Sequence, residues 1–363
     1  MPQILITSGG GPVGLNTARA LVATGASVVL NARRGHDTIE KALGEHRQQV
    51  AIESVDLSRS GEVFDLFSRY NFDAVIHTAA AHQHAQRRVV NRANYDMLFN
   101  CLEAAQATGV TRFVHVSSIV VYAGLQPPFN EDQRFPVETL IDDHPNAMGA
   151  IDTPDGGRVL AVPEFEVCVK RSLECIALDY AAPWRMGGSA TVPTNQNLNE
   201  HQLEVAVLRL TSQFGPGYKE MGSPISRAVH TAAGRGNLMA GAGYFGVPLP
   251  QLWSMIAASP LTYVRDTANA LARVVGADTL AHRIYNLSSG YTTSAREQLL
   301  ALYQIRPDAA RQVGMDPETL RAEPYPSGGF NADLLTRDTG WRPQFTFEEA
   351  LEDYLSWLSE NPY

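Results

Sequence analysis

The 363 residues suffice for one large domain or two closely joined ones, and with 44% apolar and 18% charged residues the chain can bury a sizeable core, which excludes a disordered chain. A net charge of −9 argues against a nucleic-acid groove or an anionic membrane surface as the main partner. The opening MPQILITSGG has no basic segment ahead of a long apolar one, no stretch reaches the length of a membrane span, and Cys101, Cys168 and Cys175 form neither a CxxC pair nor a disulfide framework; a soluble chain in a reducing, cytoplasmic setting is expected.

The first predicted strand, QILIT (3–7), runs into a glycine turn and a helix over 14–25. Gly9, Gly11 and Gly14 form G-x-G-x-x-G in that strand–turn–helix setting. There glycines permit a tight turn and let a pyrophosphate approach the backbone at the helix N-terminus. The second strand, SVVL (27–30), leads to Ala32 where an NAD site usually places an acid. Arg33 and Arg34 follow, and an arginine pairs with a 2′-phosphate that an acid would repel. Strands are predicted next at 50–55, 73–79 and 112–118, with helices at 60–70 and 91–109 between them, and Asp56 and Leu57 close the third strand where an adenine would sit. Strand–helix alternation of this kind predicts a doubly wound parallel sheet covered on both faces.

Residues 124–163 and 182–203 are rich in loop formers and read as two long loops, either binding lids or surface insertions. Further strands are predicted at 204–210 and 283–289. The apolar, aromatic stretch 242–256 reads as pocket lining or core, with core favoured. His77, His82 and His84 lie close in sequence, but no nearby carboxylate or cysteine completes a zinc set, so no metal is expected. Cys168 lies two residues before Lys170 and points away from the lysine's face of its helix. The C-terminal FEEALEDYLSWL is an amphipathic helix with Leu351, Tyr354, Leu355 and Leu358 inward.

Several segments together resemble the extended short-chain dehydrogenases/reductases of the NAD-dependent epimerase/dehydratase family, over essentially the whole chain. TSGGGPVG is similar to the family's TGGxGxxG, with Ser8 in place of one glycine. DAVIHTAA, RFVHVSSIVVYAG, VLRLTSQFGPG, TYVRDTANAL and the closing LLTRDTGWRPQF are similar to its later motifs. The resemblance implies a Rossmann domain over 1–181, joined by later strands from about 204–216 and 260–290, and a smaller C-terminal α/β domain, mainly 182–363, for substrate. It implies a cofactor site of Gly9, Gly11, Pro12, Val13, Gly14, Arg33, Arg34, Asp56, Leu57, Thr78, Ala79, Ala80, Asn94 (read as opening the next helix), Ser117, Lys170 and Leu210. It also implies a Ser, Tyr, Lys catalytic set, in which Ser orients the substrate oxygen, Tyr exchanges its proton, and Lys binds the nicotinamide ribose.

Ser118 and Lys170 fit that set, and Glu174 fits the residue after it, but Glu166 stands where the tyrosine belongs. No tyrosine occurs between Tyr122 and Tyr180, and Tyr122 belongs to a different segment of the pattern. Glu166 lies one helical turn before Lys170, so both side chains share a face. As a carboxylate it suits alcohol oxidation or proton abstraction next to a carbonyl. As a neutral acid it suits reduction. The bland alternative is a carboxylate that only pairs with Lys170 or Arg171.

The expected function is NADP-dependent hydride transfer at a carbinol or carbonyl carbon of a small metabolite, with NAD as the alternative cofactor. An epimerase or dehydratase with retained cofactor, on a nucleotide sugar or not, and a non-catalytic cofactor sensor stay open. Ser259 replaces an arginine that often holds a sugar-nucleotide diphosphate, leaving Arg321 as a candidate contact. Helices near 91–108 and 165–181 resemble the pair that family members pack into a two-fold four-helix bundle, so a homodimer is implied.

Overall fold

A computed structural model describes residues 1–81, 87–123, 125, 127–135, 150–152, 158–160, 164–181, 203–218, 223–235, 253, 260–322 and 329–361. In chain order its strands are β1 (Gln3–Thr7), β2 (Ser27–Asn31), β3 (Val50–Glu53), β4 (Ala74–His77), β5 (Arg112–Ser118), β6 (Ala150–Asp152), β7 (Arg158–Leu160), β8 (Glu204–Leu210), β9 (Ser212–Phe214), β10 (Leu261–Tyr263) and β11 (Ile284–Leu287). The helices are α1 (Pro12–Ala23), α2 (His36–Leu43), α3 (Ser60–Arg69), α4 (Arg87–Thr108), α5 (Glu164–Asp179), α6 (Pro224–Ala232), α7 (Val264–Gly276), α8 (Ala295–Ile305), α9 (Ala309–Val313), α10 (Asp333–Thr339) and α11 (Phe347–Glu360).

All seven strands expected for the main sheet form, and they pair in the order β11-β8-β5-β4-β1-β2-β3. The pairs β1–β2, β1–β4, β2–β3 and β4–β5 are parallel, with Leu5 opposite both Val29 and Val75. The chain winds outward in both directions from β1, so the crevice beyond the carboxyl ends of β1 and β4 is the topological switch point where such sheets bind ligands.

β3 and β4 end earlier than the sequence pattern suggests. The backbone groups of 55, 78 and 79 leave the ladder for side chains: Asn31 Nδ2 donates to Val55 O at 2.9 Å, and Thr78 N and Ala79 N donate to Thr7 Oγ1 at 3.0 and 3.1 Å. The stretch read as one loop over 124–163 holds β6 and β7, an antiparallel pair of three-residue strands. Strands this short, flanked by Pro, Asp and Gly, carry too little alternation to be read from sequence. The loop reading for 182–203 lies outside the described residues save Leu203, which is buried.

The chain forms two compact units. The first comprises Met1–Ser117, Val169–Leu208 and Leu271–Ile284. One of its cores joins Leu5, Val29, Val75 and Phe113 of the sheet to Leu98 and Leu102 of α4 and to Val169, Leu173 and Ala177 of α5. The second comprises Ser118–Cys168, Arg209–Ala270 and Tyr285–Tyr363. It packs α6, α8 and α11 around Phe214, Trp253, Tyr263 and Trp357. Leu351, Tyr354, Leu355 and Leu358 of α11 are buried as expected, and a Thr346/Glu349 capping box starts that helix. Trp253 is the described residue of the 242–256 stretch; it is fully buried, and its Nε1 donates to Gln298 Oε1 at 2.9 Å. No helix among the described residues is long and apolar enough to cross a membrane.

Candidate active site

The glycine loop in the first unit has the shape its sequence demands. A Cβ on Gly14 would lie 2.7 Å from the Cα of Gly9, and a Cβ on Gly9 would lie 2.5 Å from Leu30 Cδ2, so these two positions bring α1 against the loop and the loop against β2. A Cβ on Gly11 would meet nothing closer than Ser8 O at 3.5 Å. The space above Gly11 is therefore open for a ligand, and Gly11 caps α1, with Pro12 and Val13 opening the helix.

Ser8, where the family pattern has glycine, holds φ = 51°. A side chain in this left-handed region is strained. Ser8→Gly is expected to raise stability by up to about 1 kcal/mol. Urea midpoints of the two proteins check this, and an unchanged midpoint would mean that the serine hydroxyl compensates.

Thr7 ties this loop to the one after β4, a role sequence reading missed. Its Oγ1 accepts the N–H groups of Thr78 and Ala79, and its carbonyl accepts the Thr78 hydroxyl. With Oγ1 accepting twice, its own proton goes to His77 Nδ1, 3.3 Å away, which makes His77 the Nε2–H tautomer. The one available signal was a threonine ending a strand just before a glycine loop. Asn94 corrects an expectation: α4 begins at Arg87, so Asn94 lies two turns inside it, and its Oδ1 accepts Ala81 N at 2.8 Å. Its described work is to hold the 78–81 loop. His82 and His84 lie outside the described residues. Among the described residues no group of three or more His, Cys, Asp or Glu is placed to hold a metal.

At the end of β2, Ala32 is buried while Arg33 and Arg34 are exposed. Arg33 Nη1 lies 3.5 Å from Asp56 Oδ2, and Arg34 has no ion-pair partner among the described residues. Hydrogen bonds from Ser58, with Arg33 and Arg59 nearby, hold the Asp56 carboxyl below its usual range against the opposing effect of burial. Leu57 turns into the core of the first unit. An open glycine cradle and two cations at the end of β2 fit a phosphorylated dinucleotide.

The two serines ending β5 differ. Ser117 is buried, and its hydroxyl has no partner among the described residues. Ser118 is partly exposed, and its Oγ accepts Val120 N at 3.3 Å, capping a short 3₁₀ turn. Glu166 and Lys170 are partly buried on α5, Cys168 between them is exposed, and Glu174 is buried. Leu210 ends β8 and is buried.

Tyr122, the nearest tyrosine in sequence before Glu166, is committed elsewhere. It is fully buried, packed against Phe129, Phe135 and Phe330. Its hydroxyl donates to Asn286 Oδ1 at 2.8 Å and faces Asn130 O at 3.1 Å, while accepting from Arg209 Nη1 at 2.7 Å. Burial, opposed by Arg209 and Asn286, pushes the phenol up to about 12. Such a group is a strut and is not available to carry the reaction's proton.

The model of the NAD-dependent epimerase/dehydratase family matches residues 4–140. UDP-glucose 4-epimerase of Mus musculus is 22% identical over 387 aligned residues, covering 100% of this chain and 98% of the relative. The part of the chain that matches the family's model is thus the segment from β1 to just past β5, and the full-length relatives are distant. Among solved structures, UDP-glucose 4-epimerase from Bifidobacterium longum, in complex with NAD+ and UDP, superposes with a TM-score of 0.64 at 17% identity, covering 99% of each chain. A partial consensus L-threonine 3-dehydrogenase gives 0.66 at 18% identity, over 99% of this chain and 100% of that one. The fold is thus shared by an epimerase and a dehydrogenase. Set against the family pattern that its motifs resemble, the chain has Ser8 in place of a glycine and Glu166 in place of a tyrosine.

Proposed function

We propose that this enzyme binds NADP(H) and catalyses hydride transfer at a carbinol or carbonyl carbon of a small metabolite, with Ser118, Glu166 and Lys170 as its altered catalytic set. The observation that carries the cofactor choice is the end of β2, where Ala32 stands at the acid position and exposed Arg33 and Arg34 follow. In this reading Arg33 and Arg34 take the 2′-phosphate. The loop from Gly9 to Gly14, with Pro12 and Val13, receives the pyrophosphate, and Asp56 and Leu57 border the adenine. Thr78, Ala79, Ala80, Asn94, Ser117 and Leu210 line the remainder, and Lys170 holds the nicotinamide ribose. When bound, the cofactor supplies or accepts the hydride. Ser118 orients the substrate oxygen, and Glu166 holds or takes its proton.

Losing one charge-assisted phosphate contact costs about 1.5–3 kcal/mol, so Arg33→Ala should weaken NADPH binding by about one to two decades and leave NADH nearly unchanged. Fluorescence titration of both cofactors against wild type and variant checks this. Equal wild-type affinities for NADPH and NADH would overturn the cofactor assignment.

An epimerase or dehydratase with retained cofactor is the second reading, favoured by the full-length match to a UDP-glucose 4-epimerase. Its mark would be nucleotide that co-purifies and does not exchange, whereas a reductase consumes added NADPH with a carbonyl substrate.

A homodimer through α4 and α5 belongs to the same proposal. These helices are held together by Tyr95 Oη and Ser172 Oγ at 2.6 Å and by Tyr180 Oη donating to Glu103 at 2.5 Å, and α4 leaves Phe99 41% exposed. Light scattering at micromolar concentration should give a two-chain mass, and a pure monomer would overturn the dimer.

A further inference from the structure

His115 is a buried titratable residue that the proposed function leaves unused. It sits in β5 at 2% exposure, and neither ring nitrogen has a hydrogen-bond partner among the described residues. A buried polar group left unmatched costs free energy that a nonpolar ring in the same place would not. Packing does not call for an imidazole here. Two residues earlier on the same strand face, Phe113 stacks on His77 at 5.8 Å and 26°, and His115 stacks on that same ring at 5.7 Å and 27°. A phenyl ring meets this neighbour equally well.

Both α4 and α5 share the core with Phe113 and Val75 of this face, α5 through Val169, Leu173 and Ala177. Lys170 follows Val169 on α5, and its charge reaches both imidazoles. Burial foremost, with the Lys170 ammonium among the other causes, keeps His77 and His115 neutral. A neutral imidazole retains one nitrogen as an acceptor. That of His77 already receives the Thr7 hydroxyl proton, so His115 is the member of the pair with an acceptor to spare.

We propose that His115 is a positioning residue for Lys170, its neutral imidazole receiving one N–H of the ammonium on the buried side so that the lysine head is held for the cofactor ribose. The inference rests on the reading that Lys170 binds the cofactor. It explains why β5 keeps an unmatched imidazole where a phenyl ring would pack: the imidazole serves the loaded enzyme.

The test is NADPH affinity, read by fluorescence titration, for wild type, His115→Phe, His115→Gln, Lys170→Met and the His115→Phe/Lys170→Met double variant, with thermal melts of each. His115→Phe should bind NADPH about tenfold more weakly while melting no lower than wild type. His115→Gln, which restores an acceptor, should bind within about twofold of wild type. In the Lys170→Met background His115→Phe should have no further effect. His115→Met carries the same test if the phenyl variant does not fold. Wild-type affinity in the apolar variant, an equal loss in both backgrounds, or a glutamine variant as weak as the phenyl one would each overturn the role of His115. Failure of the underlying reading looks different: Lys170→Met would then bind NADPH as wild type does.

Discussion

Glu166→Gln is expected to lower kcat by about 10²–10⁴-fold on any substrate the enzyme turns over, with a smaller change in KM. The side chain keeps its length and its place one turn before Lys170 on α5 but can no longer take up or release a proton. Among the described residues, the two tyrosines nearest in sequence are engaged elsewhere. Tyr122 is locked between Arg209, Asn286 and the Asn130 carbonyl, and Tyr180 hydrogen-bonds Glu103. Ser118 ends β5 as a cap, and it suits orienting an oxygen better than exchanging its proton. Glu166→Tyr provides the complementary measurement, because it restores the family's phenol on the same helix position. A carboxylate is shorter than a phenol, so the substrate that suits Glu166 lies deeper, and the tyrosine variant should lose affinity for it. The deciding data are the pH–rate profiles of the three proteins. If Glu166→Gln keeps nearly full rate with an unchanged profile, the proton is carried elsewhere and Glu166 is only an ion-pair partner on its helix.

Acid should unfold the first unit before the second. Burial lowers His77 to about 3 and holds His115 well below its ordinary value, and both lie in the first unit. In the unfolded chain each takes up a proton near pH 6.5, whereas the folded chain refuses it. The unfolded state therefore binds more protons below pH 6.5, and stability falls as pH falls toward the depressed folded values. Each such histidine contributes a slope of about 1.4 kcal/mol per pH unit in that window, and so the pair contributes about 3. In the second unit burial lowers His230 to about 4, with the same sign. Asp266, in the same unit, runs the other way: burial raises its carboxyl, so its cost in the folded state is relieved as pH falls through that raised value. Urea denaturation at pH 7, 6 and 5, followed by hydrogen exchange in each unit, measures the difference. His115→Phe should remove about half of the first unit's slope. Equal pH dependence in the two units, or an unchanged slope in that variant, would contradict the assignment of the acid sensitivity to these buried rings.

Much of the fold was legible because its signals are local. Seven apolar runs bounded by turns became the seven strands of one sheet, and G-x-G-x-x-G between the first strand and helix became a loop in which Gly9 and Gly14 touch. Arg33 and Arg34 after Ala32, and Glu166 four residues before Lys170, were visible for the same reason: spacing along a strand end or a helix sets which side chains are neighbours. These features belong to the sequence by itself.

Only the tertiary structure decided the rest, because each remaining answer depends on residues far apart in the chain. Thr7 becomes a hub through groups some seventy positions away, and Asn94 leaves the role of helix opener because its partner is the backbone of Ala81. Tyr122 is removed as a proton donor by Arg209 and Asn286, 87 and 164 positions on. His115 read as one more strand residue until its stacking on His77 and the charge of Lys170 came together over one sheet face. The interleaving of the chain between two compact units follows from the same cause, since α5 and β8 each cross from one unit to the other and no local pattern marks where. A side chain's partners across the sheet fix its protonation and its hydrogen bonds, and periodicity carries no information about them.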